Sequence, residues 1–183
     1  MKIGIDLGGS HIGVGVIDNK NFIIEKVEKR LLNKDKKDIK SIIESYIIKN
    51  VKEFSSKYKI TEIGIAVPGT IKKEQILKSV NLGVKEYNLV ENLKKEIQLP
   101  IKIRNDAKCA ALAENTIGAL KDYKRSLFLT LGTGIGGAVI INDKLLDIVG
   151  WKCVENAESV SLQDAPEWYK MRNDAARRFA LRY

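Results

Sequence analysis

The order of the apolar segments predicts an α/β protein made of two lobes, each of which begins with an antiparallel β-hairpin. Short strands alternate with amphipathic segments in the order strand, strand, strand, helix, strand, helix, strand, helix, after which a strand pair begins again. The glycine-bearing segment 4–17 is echoed by segment 129–140, which indicates an internal repeat. A ligand that faces both glycine turns would therefore lie in a cleft between the lobes.

The N-terminal third of the chain is predicted to hold three strands and one long helix. Residues 2–7 form a short apolar strand, and residues 13–18 return beside it after a glycine turn. A third strand is predicted over residues 22–28. From Ile39 to Tyr58, apolar residues recur at spacings of three and four, which is the pattern of an amphipathic helix.

The central segment adds one strand and one helix. Residues 62–67 are β-branched and apolar, which predicts a buried strand that ends at Pro68-Gly69. After a loop, a second helix is expected to begin at Asn88, where Glu91 would complete a capping box. This helix should stop before Pro100, because the residue that precedes a proline disfavours helical geometry.

The remaining elements alternate in the same way and complete a mixed sheet with three leading antiparallel strands and flanking helices. A strand is predicted over residues 101–104, an alanine-rich helix over 107–120 and a strand over 126–131. Residues 132–137 are rich in glycine and join this strand to a further one over residues 138–141.

Composition excludes several classes of protein. The 183 residues are 44% hydrophobic and 30% charged, without an apolar run of membrane-spanning length or a signal peptide, so we expect a cytoplasmic protein without a membrane partner. The net charge is +9, but the lysines are spread over solvated helical faces, so we expect no nucleic-acid partner. Cys109 and Cys153 lack the spacing of a zinc site or a disulfide framework.

The composition changes near Gly150. Isoleucine occurs 24 times in residues 1–150 and nowhere in the 33 residues that follow, and both tryptophans lie in those last residues. Asp164 and Glu167 nevertheless form a capping box before apolar residues at helical spacing. We therefore expect an atypical, helical tail of different origin over residues 150–183.

The first candidate site is the turn that follows Asp6 at the end of the first strand. Gly8 and Gly9 let backbone amides approach an anion closely, and the Ser10 hydroxyl and His11 ring could add contacts, so a phosphate could bind there. The alternative is a plain glycine hairpin in which Asp6 bonds to its own backbone and His11 is solvated.

The second candidate site is the glycine turn formed by Gly132, Thr133, Gly134, Gly136 and Gly137. Its letters match the dinucleotide fingerprint only when shifted, and a strand follows where that fingerprint requires a helix, so a Rossmann site is excluded. Two amide-rich loops in one chain favour a nucleotide clamped between them. A plain tight hairpin is the alternative.

The third candidate site is Asn105-Asp106, between a strand and a helix. Asp106 could cap the helix, or it could act as a general base at the carboxyl edge of the sheet, accepting a hydroxyl proton during phosphoryl transfer. Asn105 would then orient a substrate hydroxyl. The loops around Gly69 and Asn81 could line a small-molecule pocket, although turn chemistry explains them almost as well.

Taken together, these segments resemble the ROK family of sugar kinases and sugar-responsive repressors, within the actin-like, ribonuclease H-like ATPase superfamily. The matching segments are the first phosphate motif at 4–11, the sugar-side loops at 67–69 and 81–83, the catalytic segment at 105–114 and the second phosphate motif at 131–137. The resemblance covers about residues 2–146. Ser10 and His11 depart from it, because the family has Thr and often Lys or Asn there.

The resemblance implies that MgATP phosphorylates a hexose hydroxyl, commonly the 6-hydroxyl, so a sugar and a nucleotide are the expected partners. It makes Asp106 the general base and, together with Gly69, Asn81 and Asn105, a sugar-binding residue. It makes Asp6 a Mg²⁺ ligand through the nucleotide. The residues expected to bind the nucleotide are Asp6, Gly8, Gly9, Ser10, His11, Gly132, Thr133, Gly134, Gly136 and Gly137. A homo-oligomer is a further expectation.

A family kinase continues after this point with a GExGH segment and a CxCGxxGCxE zinc site, and this sequence has neither, so no zinc site is expected. We expect a first lobe over residues 1–121, the start of a second lobe over 122–149, and the tail described above. Because the chain begins at the first strand without a helix-turn-helix, the kinase branch is favoured. The chain is then a truncated kinase of little or no activity, and the alternative is a non-catalytic sugar-binding lobe or a fragment that associates with another chain.

Overall fold

The structure is a computed structural model that describes residues 1–32, 38–131 and 135–146. The elements are β1 (Lys2–Leu7), β2 (His11–Ile17), β3 (Ile23–Arg30), α1 (Ile39–Lys57), β4 (Glu62–Val67), β5 (Thr70–Lys72), β6 (Gln75–Ser79), β7 (Val84–Tyr87), α2 (Leu89–Lys94), β8 (Ile101–Asn105), α3 (Asp106–Ile117), β9 (Arg125–Leu131), β10 (Ile135–Ile141) and β11 (Lys144–Leu146). They divide into two compact units, Met1–Ala113 and the residues from Glu114 onward. The predicted lobe boundaries stay a prediction, and the predicted tail lies outside the described residues.

The first unit is built on a five-stranded mixed sheet in the order β3-β2-β1-β4-β8. β1, β2 and β3 form the antiparallel arrangement that the sequence predicts, with Ile5 opposite Val14 and Val14 opposite Val27. β4 pairs with β1 in parallel, and β8 pairs with β4 in the same way. The carboxyl ends of β1, β4 and β8 therefore meet at one edge of the sheet.

One continuous apolar core lies against this sheet. Alternate residues of β1 are buried, as the period of two in a strand requires. α1 contributes Ile43, Ile47 and Phe54, which share one face of the helix and are fully buried. The helix predicted from the apolar spacing is confirmed, and its burial in the core stabilises it.

A second sheet in the first unit, in the order β5-β6-β7, occupies the segment where the sequence predicts a loop. The turn between β5 and β6 places Lys73 and Glu74 at φ values of 47° and 64°. Such two-residue turns normally carry Asn or Gly, so the usual sequence signal is missing here. β6 and β7 are joined by residues 80–83, where the Gly83 amide donates to the Val80 carbonyl at 3.0 Å.

α2 follows Asn88 and stops before Pro100, as the sequence predicts. It ends at Lys94, well before Pro100, and Asn88 makes no side-chain capping hydrogen bond, so the predicted capping box is wrong. Burial of Leu89 and Leu93 holds the short helix against the core instead. Tertiary packing therefore decides this element more than its local capping residues do.

The second unit contains an antiparallel sheet in the order β11-β10-β9. β10 begins earlier than predicted, so Gly136 and Gly137 lie in a strand, opposite Thr130 and Leu129, and not in the glycine turn. Pairing with β9 extends the strand through these glycines. Across the described residues, no helix combines the length and apolar character that crossing a membrane requires.

Candidate functional site

Three neighbouring parallel strands of the first unit end at the same edge of the sheet. In the strand register, Asp6 lies opposite Ala66, and Ala66 lies opposite Arg104. Because adjacent strands are about 4.8 Å apart, the end of β1 and the start of α3 are separated by roughly 10 Å. Pro68-Gly69 lies between them in the sheet order, so three of the predicted site segments meet at this edge.

The turn between β1 and β2 is closed by its own side chains. The Gly8 amide donates to the His11 carbonyl at 2.9 Å. His11 Nε2 lies 3.2 Å from Asp6 Oδ2, and the Ser10 hydroxyl lies 3.4 Å from His11 Nδ1. When His11 carries its proton on Nε2, it donates to Asp6 and accepts from Ser10. The structure thus gives His11 a contact with Asp6, and its predicted contact with a phosphate stays a prediction.

Both glycines of this turn allow close contacts that a side chain would prevent. A Cβ on Gly8 would lie 2.7 Å from the His11 ring. A Cβ on Gly9 would lie 2.9 Å from the carbonyl oxygen of Asn81. The first phosphate turn and the β6–β7 turn are therefore in backbone contact, so the predicted nucleotide loop and one predicted sugar loop adjoin.

Asn105 joins the Pro68-Gly69 turn to the start of α3. Its Nδ2 donates to the Gly69 carbonyl at 3.1 Å, and its Oδ1 accepts from the Lys108 amide at 3.2 Å. A side-chain oxygen that accepts from the amide three residues later is an N-cap. Asn105 thus makes the capping hydrogen bond to the Lys108 amide. The sequence allows the capping role for Asp106. Asn105 keeps one amide hydrogen and one lone pair for a ligand.

The Asp106 carboxylate is exposed at the first residue of α3, where its Oδ1 accepts from the Ala107 amide at 2.8 Å. Burial raises the pKa of the nearby Cys109 thiol, the Arg104 charge lowers it, and the carboxylates of Asp106 and Asp6 raise it further. Both carboxylates therefore lie close enough to act on one thiol. The Asp6 side chain is 65% exposed, so this edge presents two accessible carboxylates, a type of group that can bind a cation or a proton.

Sequence reasoning missed two residues that border this site. Ser79 is buried beside Gly69, and its hydroxyl has no hydrogen-bond partner in the described part of the chain. Cys109 lies half-buried near both carboxylates. The only signal for Ser79 was its position two residues before Asn81. Cys109 belongs to the matched catalytic segment, but no chemistry pointed to it.

The second phosphate motif is only partly described. Gly132, Thr133 and Gly134 lie outside the described residues. The Gly136 amide donates to the Thr130 hydroxyl at 3.1 Å, within the β9–β10 pair. In this structure that amide is therefore engaged by its own hairpin, and the nucleotide contacts expected of this motif stay predictions.

The sequence profile of the ROK family matches residues 2–150. The match spans most of the sequence, and the chain belongs to the ROK family. The resemblance drawn from the five sequence segments is thereby confirmed.

Relatives in this family include enzymes and regulators. A glucokinase from Halalkalibacterium halodurans is 32% identical over 151 residues, which cover 79% of this chain and 45% of that kinase. A xylose repressor from Bacillus subtilis is 30% identical over 146 residues, which cover 79% of this chain and 38% of the repressor. This chain therefore spans less than half the length of either relative.

Solved structures show the same fold. A ROK family glucokinase from Streptomyces griseus, in complex with glucose and AMPPNP, matches with a TM-score of 0.68 and 28% identity over 79% of this chain and 46% of that chain. ROK sugar kinases have the actin-like ATPase fold. Its mixed sheet with three leading antiparallel strands is the first unit of this chain, so the predicted fold class is confirmed.

Proposed function

We propose that the sheet edge of the first unit is the sugar-side part of an ATP-dependent hexose phosphotransferase site. The observation that carries this proposal is the convergence of Asp6, Gly69 and Asn105-Asp106 at the ends of three adjacent parallel strands. Glucokinases of the same family support a hexose as the acceptor. The carboxyl edge of a parallel sheet is also where ligands of such folds bind.

In this proposal Asp106 is the general base. Its exposed carboxylate would accept the proton of a sugar hydroxyl while the oxygen of that hydroxyl bonds to the γ-phosphorus of ATP. The bond from that phosphorus to the bridging oxygen would break in the same step, and ADP would leave. The bond from Asp106 to the Ala107 amide fixes one carboxylate oxygen and leaves the other available. Asn105 and Asn81 contact sugar hydroxyls, and the Gly69 turn closes the sugar side.

The nucleotide side of the proposal rests on the turn after β1. A carboxylate oxygen is a suitable Mg²⁺ ligand, and Asp6 presents an exposed one. Gly9 has no side chain at the point where the turn meets Asn81, which lets the Asn81 carbonyl of the sugar-side loop pack directly against this turn. MgATP, when bound, supplies the phosphoryl group and neutralises charge on it. Its phosphates would bind at Gly8, Gly9, Ser10 and His11.

The test is an assay of glucose phosphorylation by the chain with MgATP. Formation of glucose phosphate is coupled to the reduction of NADP, which is measured. We expect Asp106→Asn to abolish turnover with a loss of about 10²- to 10⁴-fold, because the substituted amide cannot accept a proton. Glucose binding, measured by calorimetry, should remain. Asp122→Asn is the matched control, since Asp122 is an exposed carboxylate in the turn after α3. Equal turnover in the two variants would contradict the role of Asp106.

A second candidate function is sugar binding without transfer. The observation that favours it is the division of the motifs, because Gly69, Asn81 and Asn105 lie in the first unit whereas the second phosphate motif lies in the other. Phosphoryl transfer depends on a complete, closed site. In that case the unsubstituted chain binds glucose in calorimetry but forms no glucose phosphate. Turnover at an ordinary kinase rate would exclude this alternative.

A further inference from the structure

β3 is the outer strand of the five-stranded sheet. Among the described strands it is hydrogen-bonded to β2 alone, so its other edge presents backbone groups to solvent. Its first two residues and the residue before them are apolar and exposed: Phe22 by 66%, Ile23 by 65% and Ile24 by 46%. An exposed strand edge with apolar residues is a template for pairing with another chain.

The pairing with β2 shows which backbone groups of β3 point outward. The Leu31 amide donates to the Ser10 carbonyl at 2.8 Å, so the backbone groups of Leu31 face β2. The backbone N–H and C=O groups of successive residues in a strand point to opposite edges. Those of Lys29 and Val27 therefore also face β2, whereas those of Glu28 and Lys26 face the open edge. A second strand must form its hydrogen bonds with Lys26 and Glu28.

The charges around Val27 are antisymmetric along the strand. The sequence from residue 25 to residue 29 reads Glu, Lys, Val, Glu, Lys. If a second copy of β3 runs antiparallel with the two Val27 residues opposite each other, Lys26 lies opposite Glu28 and Glu25 lies opposite Lys29. Every charged residue in this stretch then faces the opposite charge, which stabilises a strand pair.

We propose that two copies of this chain associate through β3, in an antiparallel register centred on Val27, to form one continuous ten-stranded sheet. The side chains of Lys26 and Glu28 are about half exposed and lie 3.1 Å apart within each copy. In the dimer, Lys26 and Glu28 of the two copies form a square around the two-fold axis, with positive and negative charges at alternate corners. The interaction is isologous, as expected for a symmetric dimer.

The neighbouring registers are disfavoured by charge. A register centred on Lys26 places the two Lys26 side chains opposite each other, and one centred on Glu28 does the same for two carboxylates. Both of these registers would also allow the outward-facing backbone groups to form hydrogen bonds. However, like charges directly opposite each other destabilise a strand pair. Charge therefore selects the register that is centred on Val27.

Charge reversal tests the proposal by sedimentation velocity over a concentration series. We expect the unsubstituted chain to form a dimer, and Lys26→Glu or Glu28→Lys alone to weaken it on the order of tenfold, since each creates two like-charge pairs. An equimolar mixture of the two variants should dimerise again, because every pair across their interface is then of opposite charge. Each variant lacks the ion pair within its own chain, so that pair cannot explain the recovery.

A disulfide provides a second measurement. The two Val27 residues form a non-hydrogen-bonded pair, with Cα atoms about 4.5 Å apart, which lies within disulfide range. In a Cys109→Ser, Cys153→Ser background, we expect Val27→Cys to form a covalent dimer on oxidation and Lys29→Cys not to. A monomer at every concentration, a dimer unaffected by charge reversal, or no recovery in the mixture would overturn the proposal.

Discussion

At the scale of single residues, the site depends on Gly69. This residue has φ of +112°, and its carbonyl accepts the hydrogen bond from Asn105. A Cβ there would collide with the Lys78 carbonyl and lie 2.9 Å from the Ser79 Cα. Only glycine combines this backbone geometry with such close contact. Gly69 thereby connects β6 to the strand end that carries Asn105.

We predict that Gly69→Ala lowers the free energy of unfolding by about 1–3 kcal/mol, because alanine is strained at this φ and collides with β6. Urea denaturation measures the loss. Gly64→Ala is the matched control, since a Cβ on Gly64 has no atom within 4 Å. The control should be neutral or slightly stabilising, and an equal loss in both variants would show that the strain is not specific to the turn.

Residue types in the sequence indicate the right positions, but they do not show which residue has which role. The pair Asn105-Asp106 was expected at a strand–helix junction, and it lies there. The sequence could not tell which side chain caps the helix, because Asn and Asp are equally good caps. The contact with Gly69 decides it, and that contact joins residues 36 positions apart.

At the scale of elements, a partly buried polar cluster joins α1 to β7 and α2. The Tyr87 hydroxyl donates to Glu44 Oε1 at 2.9 Å, and Asn92 Nδ2 donates to the same oxygen at 2.8 Å. Tyr87 is 2% exposed. Burial and then the hydrogen bond to Glu44 raise the pKa of Tyr87 well above its usual value of 10.0. The cluster thus fixes the small sheet against the main helix.

We predict that Tyr87→Phe costs about 1.5–3 kcal/mol of stability near neutral pH, because Glu44 loses a charge-assisted hydrogen bond. Tyr87 keeps its proton in the folded state, whereas in the unfolded chain its hydroxyl ionises near pH 10. The contribution of Tyr87 to the free energy of unfolding is therefore present below that pH and is lost as the pH rises above it. Urea midpoints between about pH 9.5 and pH 11 should therefore fall less steeply in the variant.

Tyr123→Phe is the control for this prediction, because Tyr123 is 62% exposed. Its stability should match that of the unsubstituted chain at neutral pH, and its decline at alkaline pH should be unchanged. A Tyr87→Phe variant with the same alkaline slope as the unsubstituted chain would contradict the assigned shift.

Elements with strong local patterns were predictable, and elements held by distant contacts were not. β4 has the bounds that its β-branched run predicts, and α1 follows its apolar spacing closely. The sheet of β5, β6 and β7 was missed because its first turn uses Lys73 and Glu74 at positive φ. α2 respects the limit set by Pro100 but already ends at Lys94, because a proline limits a helix without determining where it ends.

At the scale of the whole molecule, the described part of the predicted sugar site belongs to a single unit. Gly69, Asn81, Asn105 and Asp106 all precede Glu114, where the second unit begins. The predicted second phosphate turn belongs to the other unit. The order of the motifs along the sequence produces this division. In the proposed site, sugar recognition therefore requires residues of one unit, whereas phosphoryl transfer requires residues of both.

This division predicts that glucose alone, without a nucleotide, stabilises the chain against thermal unfolding. A ligand that binds only the folded state adds RT ln(1 + [L]/Kd), which is about 2.7 kcal/mol at a concentration of 100 Kd. We expect Asn81→Ala to lose most of this stabilisation, because its amide contacts the sugar in the proposed site. Its unliganded stability should change by less than about 0.5 kcal/mol, since Asn81 is exposed.

Differential scanning fluorimetry over a glucose series measures both quantities for this variant. Asn19→Ala is the matched control, because Asn19 is exposed in the turn between β2 and β3 and should keep the full response to glucose. If glucose shifts the unsubstituted chain and Asn81→Ala equally, the β6–β7 turn does not contact the sugar. If glucose shifts neither, the chain does not bind glucose in the absence of a nucleotide, and the prediction is wrong.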